Sequence, residues 1–165
     1  MSRGLFHLAD LAMMQGDMAR ATVLSEEALA NARAIGITWD IPFILTLLGR
    51  LAVRQQNYGA ATMRYREALT LYRTFSSPSY TAGCLEGLAA AICEQGRYAQ
   101  AARLCAAAAA LREQAQTPIP PAEREAFEQV VATAQVALDR TAFVREWNTG
   151  LSLTQNEAID DALSD

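Results

Sequence analysis

Residues 95–109 read Gln-Gly-Arg-Tyr-Ala-Gln-Ala-Ala-Arg-Leu-Cys-Ala-Ala-Ala-Ala, and weaker copies of this stretch occur twice earlier in the chain. Residues 55–69 and 15–29 align with it at a constant offset of 40 residues, without a gap. A fixed period of this length indicates stacked structural repeats, because no single unit can bury its apolar face alone. The superposed sets are Leu5, Leu45 and Leu85; Leu8, Leu48 and Leu88; Ala9, Gly49 and Ala89; Gly16, Gln56 and Gly96; Ala21, Ala61 and Ala101; Ala28, Ala68 and Ala108.

Within each repeat, the spacing of apolar residues predicts two helices separated by a short break. Gln15-Gly16-Asp17 is the first such break, and residues 117–121 contain three prolines that end the last repeat. Three shorter or more polar helices follow, the last of them opened by a capping box at residues 154–157. The predicted helices span 2–14, 18–34, 39–54, 58–75, 78–94, 98–115, 122–138, 141–148 and a final segment that ends at 163.

These features predict an all-α fold, a right-handed helical solenoid of three hairpins with a 40-residue period, closed by C-terminal capping helices. The repeats cover about 1–37, 38–77 and 78–116, and residues 117–165 form a helical cap within the same domain. Small residues allow two helices to approach closely, so Gly49 and Ala61 are predicted to form the closest contact of the second hairpin. The structural repeat positions are Gly49, Ala61, Ala68, Gly96, Ala101 and Ala108.

Composition and charge limit the classes of partner and the cellular compartment that we expect for this protein. The net charge is −4, and the 14 basic residues form no cluster, which argues against nucleic acid as the main partner. No apolar run approaches the roughly 20 residues of a membrane helix, and the first residues lack a signal-peptide pattern. The three cysteines are an odd number, so a disulfide framework is not expected. We therefore predict a cytoplasmic protein that binds neither membrane nor nucleic acid.

Motifs that would carry catalysis are missing from the sequence. His7 is the only histidine, and no cysteine or carboxylate lies near it at a metal-ligand spacing. Phosphate-binding loops, dinucleotide-binding loops and nucleophile elbows do not occur either. The adjacent acidic pairs at 26–27 and 160–161 are expected to be solvated surface. The prediction is a non-enzymatic protein without a metal or another cofactor.

The order of small and aromatic residues resembles the tetratricopeptide repeat across residues 5–110. The second copy carries the likeness most clearly, in Leu48-Gly49, Ala52, Tyr58, Ala61, Tyr65 and Ala68. The period of 40 residues departs from the family's length of about 34, and HEAT-type repeats share the longer period. The positions of the small residues favour the tetratricopeptide family over the HEAT family.

A second resemblance covers the chain from Leu85 onward. It rests on Leu85-Glu-Gly-Leu-Ala-Ala90, Gly96-Arg-Tyr-Ala-Gln-Ala-Ala-Arg-Leu104, Ala110-Leu-Arg-Glu113, Pro118-Ile-Pro-Pro-Ala-Glu-Arg124 and Phe143-Val-Arg-Glu-Trp147. These segments resemble the C-terminal end of large bacterial regulators that join a STAND-type nucleotidase to such repeats. Some of those regulators carry a LuxR-type DNA-binding domain, and others a cyclase or a kinase domain. The likeness implies a regulatory or scaffolding arm, either as a fragment or as a free-standing relative.

The tetratricopeptide resemblance also implies where a ligand would bind. In that family the first helix of each pair lines a concave groove that holds peptides. Phe6 and Asp10 stand where some members carry a Lys and Asn clamp for a terminal carboxylate, so that clamp is absent. The alternative is that Met13 and Phe43 pack against neighbouring helices while the arginines are solvated. The candidate groove residues are Phe6, Asp10, Met13, Phe43, Thr46, Arg50, Arg54 and Glu86.

The predicted function is therefore protein–protein interaction, as the regulatory arm of a bacterial signalling or transcriptional regulator. The alternative is a structural self-association unit without a separate peptide ligand. The first helix has few residues ahead of Leu5, so its apolar residues, including Leu11 and Met14, are expected to remain open at the N-terminal end. We predict a homodimer through that end; a monomer in which Met13, Met14 and Phe6 fold back over it is the alternative.

Overall fold

The computed structural model describes residues 2–36, 38–74 and 77–164, and every regular element in these ranges is an α-helix. The all-α helical-repeat fold is thus confirmed. The third helix begins at Ile41 and not at Trp39, because Asp40 is the N-cap and Pro42 occupies the first turn. The predicted end of the fourth helix, at Phe75, lies outside the described residues. The helices are α1 Ser2–Met14, α2 Met18–Ala34, α3 Ile41–Arg54, α4 Tyr58–Tyr72, α5 Pro78–Cys93, α6 Tyr98–Ala115, α7 Pro121–Ala137, α8 Arg140–Leu151 and α9 Gln155–Leu163.

The same turn joins the two helices of each hairpin. Gly16, Gln56 and Gly96 all have left-handed backbone conformations, with φ of 82°, 59° and 81°. In each turn, the N–H of this residue donates to the carbonyl three residues earlier, at 3.1, 2.9 and 2.9 Å. The next N–H donates to the carbonyl five residues earlier, at 2.9, 2.8 and 3.0 Å. This pair of hydrogen bonds is the Schellman motif that ends helices, so the 40-residue period is a period of backbone geometry as well as of sequence.

The described chain divides into two compact units, Met1–Ala68 and Leu69–Asp165. In the first unit, α2 packs against both α1 and α3. Polar contacts also link α2 to the second hairpin: Arg64 donates to Glu26 at 2.6 Å, and Arg33 pairs with Glu67. One apolar cluster is formed by Ala9, Ala12, Met13, Ala21, Leu47 and Leu51.

In the second unit, α6 packs against α5, α7, α8 and α9. We call α7, α8 and α9 the C-terminal cap. In α7, Val130 and Ala134 are buried, whereas Phe127 is half-buried. In α8, the rings of Phe143 and Trp147 stack with their centroids 5.6 Å apart. The assignment of the cap and the three repeats to a single domain stays a prediction.

The contact between α3 and α4 differs in detail from the prediction. A Cβ atom placed on Gly49 would lie 2.8 Å from the ring of Tyr65, and the three nearest atoms all belong to that ring. The partner of Gly49 is therefore Tyr65, one helical turn beyond the expected Ala61, because the aromatic ring fills the space over the glycine. Ala61 is itself fully buried.

The other repeats carry a different pair at the same two positions. Ala9 is matched with Ser25, and Ala89 with Cys105, and all four of these residues are fully buried. The large ring of the second repeat thus occurs with glycine, and the small side chains of the other repeats occur with alanine. This size relation is what dense packing of an interior requires.

The first prediction concerns this pair. Gly49→Ala is expected to lower the free energy of unfolding by about 1–3 kcal/mol, because the buried ring of Tyr65 must shift. Adding Tyr65→Cys recreates the pair of the third repeat. The double variant should be less destabilised than the sum of the two single variants, by about 0.5–3 kcal/mol. Urea unfolding of the four proteins measures this coupling, and strictly additive effects would contradict it.

Candidate functional site

The three candidate groove residues of α1 lie in different environments. Phe6 is partly buried and packs against the apolar cluster of the first unit. Asp10 is half-buried. Met13 is only 2% exposed and belongs to that cluster. Met13 therefore packs in the core in this structure, whereas part of Phe6 and part of Asp10 reach the surface.

The four candidates on α3 lie at i, i+3, i+7 and i+11, a spacing that places them along one face of a helix. Phe43, Thr46 and Arg50 are half-buried, and Arg54 at the end of the helix is exposed. The Thr46 hydroxyl donates to the Pro42 carbonyl at 2.8 Å, so the threonine is held against its own helix. This face combines one aromatic ring with two guanidinium groups, and α3 contains no acidic residue.

Glu86 belongs to the second unit, and its carboxylate is engaged by α6. Arg112 donates to its two oxygens from Nε at 2.5 Å and from Nη2 at 2.7 Å. Both side chains are 9% exposed. Arg112 also donates to the Pro118 carbonyl at 3.3 Å, which ties down the proline segment after α6. Glu86 thus has a structural partner in place, and its role in a groove stays a prediction.

A polar cluster that was not predicted lies where the C-terminal cap meets α6. Arg103 donates to Glu146 of α8 at 2.5 Å and to Asp161 of α9 at 3.0 Å. The side-chain amide of Gln100 donates to the Asp161 carbonyl at 2.6 Å. These contacts join two cap helices to one face of α6, so the cluster fixes how the cap is attached.

The ionisation of this cluster follows from its geometry. Burial by itself would raise the pKa of Glu146, but hydrogen bonds from Arg103 and Arg145 outweigh it and hold that pKa below its ordinary value of 4.5. Burial would lower the pKa of Arg103, yet its bonds to Asp161 and Glu146 raise it. Both partners of the ion pair are therefore stabilised in their charged forms.

The alignment of the three repeats contains a sign that the cap attaches to this face of α6. At the positions of Ala106 and Ala107, the first repeat has Glu26 and Glu27, and the second has Arg66 and Glu67. Ala106 and Ala107 are fully buried. Only the third repeat lacks charged residues at these two positions, which indicates that another element covers this part of α6.

A shallow cavity of about 340 Å³ opens at the start of α6, lined by residues 96–100 with Arg103, Leu138 and Ser164. In the first repeat, the Asp17 side chain caps the equivalent helix start, by accepting from Arg20 N–H at 3.1 Å. Arg97 makes no such cap and donates instead to the Ser164 carbonyl at 3.1 Å. The third repeat has thus exchanged a helix cap for a contact with the C-terminal end of α9.

A second prediction follows from the lowered pKa of Glu146. A carboxyl whose folded pKa lies below its unfolded value contributes stability above that value and loses it as the pH falls. The free energy of unfolding of the second unit should therefore decrease as the pH falls from about 5 to about 3. Glu146→Gln should flatten this decrease, whereas Glu125→Gln, at an exposed position of α7, should leave it unchanged. Chemical unfolding at a series of pH values measures both, and equal slopes in both variants would contradict the assignment.

Two other classes of site are absent from the part of the chain that the structure describes. No group of three or more His, Cys, Asp or Glu residues there is placed to hold a metal ion. No helix in the same ranges has both the length and the apolar character that crossing a bilayer requires.

Comparison with known proteins gives one match. Residues 1–74 match a family model described as tetratricopeptide repeat. This segment contains α1 to α4, and with them the candidate residues from Phe6 to Arg54. No curated protein and no solved structure matches the chain. Tetratricopeptide repeats generally mediate protein–protein interaction and scaffolding.

Proposed function

We propose that this chain, of which residues 1–74 match the tetratricopeptide-repeat model, is a non-enzymatic module that binds a peptide segment of a partner protein. The candidate surface is the face of α3 that carries Phe43, Thr46, Arg50 and Arg54, together with the exposed parts of Phe6 and Asp10 on α1. The observation that carries the proposal is the family match over the two hairpins to which these residues belong.

The character of the α3 face supports a peptide as the ligand. A half-buried ring such as Phe43 offers an apolar anchor, and guanidinium groups bind carboxylates or peptide carbonyls. The exposed Arg54 at the end of α3, a helix without an acidic residue, favours a segment with an acidic side chain near it. Asp10 on α1 adds one carboxylate to the proposed surface. Met13 is left out of the proposed surface, since it is buried in the core.

We propose further that the module is the regulatory arm of a bacterial signalling or transcriptional regulator in the cytoplasm. The support is the resemblance of residues 85–147 to the C-terminal end of STAND-type regulators. Cys84, Cys93 and Cys105 are all buried and none of them forms a disulfide in the described part of the chain, which fits a reducing compartment. Sequencing of the surrounding gene tests this part: a nucleotidase domain encoded in frame would support it, and an unrelated neighbouring domain would contradict it.

Peptide binding is tested with short synthetic peptides that share two aromatic residues and differ only in net charge. Fluorescence anisotropy should detect binding of the acidic peptide and little binding of the basic one. Arg54→Glu should weaken binding at least tenfold, because it reverses the charge at the exposed end of the α3 face. Arg20→Glu, at an exposed position of α2, is the matched control and should have no effect. Failure of every peptide to bind, or equal loss in both variants, would reject the proposed surface.

The second candidate function is self-association without a separate peptide ligand. It is favoured by the exposure of Leu8, Leu11 and Met14 on α1. The two candidates use different residues, so a chain that self-associates but binds no peptide would support the second candidate alone.

A further inference from the structure

Helix α9 has a small apolar contact with the rest of the second unit. Its buried residues are Ala158, Ile159 and Ala162, and only the isoleucine is large. Isolated helices shorter than about 12–15 residues are unstable in water, so the nine-residue α9 depends on the surface that it covers. That surface belongs to α5 and α6. Because α8 has its own close contact with α6 at Gly150, α8 has an attachment that is separate from that of α9.

Two arginines bind the acidic side chains of α9. Arg103 of α6 donates to the Asp161 carboxylate at 3.0 Å, and Arg73, which follows α4, pairs with Asp160. The side chains of Arg73 and Asp160 are 42% and 64% exposed, so water competes for this pair and its contribution is small. Arg103 also donates to Glu146 of α8 and therefore keeps one carboxylate partner when α9 is displaced.

Two further donors meet the backbone at the C-terminal end of α9. The side-chain amide of Gln100 donates to the Asp161 carbonyl at 2.6 Å, and Arg97 donates to the Ser164 carbonyl at 3.1 Å. Carbonyls at the end of a helix favour such partners. The Oε1 atom of Gln100 is buried and accepts no hydrogen bond from the described residues, so α9 leaves one polar atom of this surface unpaired.

The donors at the start of α6 occur together in the third repeat alone. At the positions of Arg97, Gln100 and Arg103, the first repeat has Asp17, Arg20 and Val23, and the second has Asn57, Ala60 and Met63. Asp17 and Asn57 cap their own helices, whereas Val23 and Met63 are exposed. The third repeat thus has a set of hydrogen-bond donors that matches an acidic helix. We call Arg73, Arg97, Gln100 and Arg103 the donor surface.

We propose that α9 is a replaceable occupant of the donor surface, and that an acidic amphipathic helix of a partner protein binds there in its place. The partner helix carries an apolar residue beside two carboxylates, as Ile159 stands beside Asp160 and Asp161. While α9 is bound, it blocks this site, and the partner must compete with it. The inference goes beyond the peptide binding proposed above, because it uses the second unit and none of the residues of α1 or α3.

The test uses a fluorescein-labelled peptide with the sequence of residues 152–164 as the probe, followed by fluorescence anisotropy with the full chain. Ile159→Glu places a charge at a fully buried position and should displace α9. The probe should bind this variant at least tenfold more tightly than the unmodified chain, because occupation by α9 lowers the apparent affinity. Val136→Glu, at an 89% exposed position of α7, is the matched control and should bind the probe as weakly as the unmodified chain.

Charge substitutions identify the surface that the probe binds. A probe with both Asp160→Asn and Asp161→Asn should bind the Ile159→Glu chain at least tenfold more weakly than the original probe. Adding Arg73→Glu to that chain should weaken binding at least fivefold, whereas Arg140→Glu, at another exposed arginine, should not. Arg54→Glu on α3 should also leave probe binding unchanged, so this result is independent of the peptide test proposed above.

Hydrogen exchange tests the displacement of α9 in the unmodified chain. The amides of residues 158–163 should exchange at least tenfold faster than those of α8, because α9 opens by itself. Thr154→Ala removes the capping box and keeps the buried side of α9, so it should increase both this exchange and the affinity for the probe. Circular dichroism of each variant shows whether the other helices are intact, and Thr154→Ala decides the question if Ile159→Glu unfolds the second unit.

Two outcomes would overturn the proposal. The first is a probe that binds neither Ile159→Glu nor Thr154→Ala more tightly than it binds the unmodified chain. The second is tighter binding that the two asparagine substitutions in the probe leave unchanged, since the donor surface would then not be the site.

Discussion

Replacement of Gly150 by alanine is expected to destabilise the second unit by about 3 kcal/mol, because the added methyl group has no space. Gly150 is a buried residue of α8 that lies directly against α6. A Cβ atom there would press on the carbonyl oxygen of Arg103 and lie 2.7 Å from the Cβ of Ala106. A backbone carbonyl inside a helix cannot rotate away, so the two helices would have to separate.

The effect of Gly150→Ala should extend beyond the point where α8 contacts α6. Glu146 lies one turn before Gly150 on α8 and accepts a hydrogen bond from Arg103. Moving α8 outward would therefore break this ion pair and loosen the attachment of the C-terminal cap. We expect the cap to unfold at a lower denaturant concentration than in the unmodified protein.

Tryptophan fluorescence can follow the cap by itself. The chain has two tryptophans, Trp39 in the first unit and Trp147 in α8. In a Trp39→Phe variant, Trp147 is the only tryptophan left, so the tryptophan fluorescence follows the unfolding of the cap alone. Gly59→Ala is the matched control, because nothing lies within 4 Å of a Cβ atom at that exposed helical position. It should be neutral or slightly stabilising. If Gly150→Ala unfolds no earlier than this control, the close approach of α8 and α6 is refuted.

The parts of the fold that depend on local sequence were predictable. The breaks at Gly16, Gln56 and Gly96 stand out because they recur at one spacing, and each forms the same left-handed turn. The capping box of α9 forms as predicted, with the Thr154 hydroxyl and the Glu157 carboxylate bonded to each other's backbone N–H. Such features are set by contacts within a few residues, which the order of amino acids specifies directly.

Pairings between distant residues could not be predicted in the same way. The sequence favours a small residue opposite Gly49, but the ring of Tyr65 lies there. A shift of one helical turn leaves the periodic pattern unchanged, so the pattern cannot decide whether Ala61 or Tyr65 lies opposite Gly49. The contacts of Arg103 with Glu146 and Asp161 join residues far apart in the chain and belong to no repeat.

The candidate binding residues show the same difference between what residue spacing specifies and what the packing of helices decides. Spacing places Phe43, Thr46 and Arg50 on one face of α3, and all three are half-buried; that this face binds a ligand stays a prediction. Spacing does not separate Met13 from Phe6, because the apolar stripe of α1 is wide and its buried edge depends on how α2 and α3 pack. The exposure of a residue is a property of its neighbours, and these become known only with the structure.

Replacement of Glu86 by alanine is the second change for which we expect a large effect, a loss of about 3–5 kcal/mol in the free energy of unfolding of the second unit. The substitution leaves the guanidinium of Arg112 almost buried without its carboxylate partner. The remaining hydrogen bond, to the Pro118 carbonyl at 3.3 Å, is too long to replace two bonds of 2.5 and 2.7 Å. The cost arises from the unpaired charge and not from the lost groove residue.

A double variant separates these two causes. Glu86→Leu combined with Arg112→Met removes both charges and keeps the apolar volume, so it should recover most of the stability that Glu86→Ala loses. If Glu86 instead acted mainly on a ligand, Glu86→Ala would leave the urea midpoint unchanged and would weaken peptide binding. Unfolding followed by circular dichroism and anisotropy with the acidic peptide, measured on the same preparations, distinguish the two results. Loss of stability with rescue by the double variant would establish Glu86 as part of the framework that holds α5 to α6.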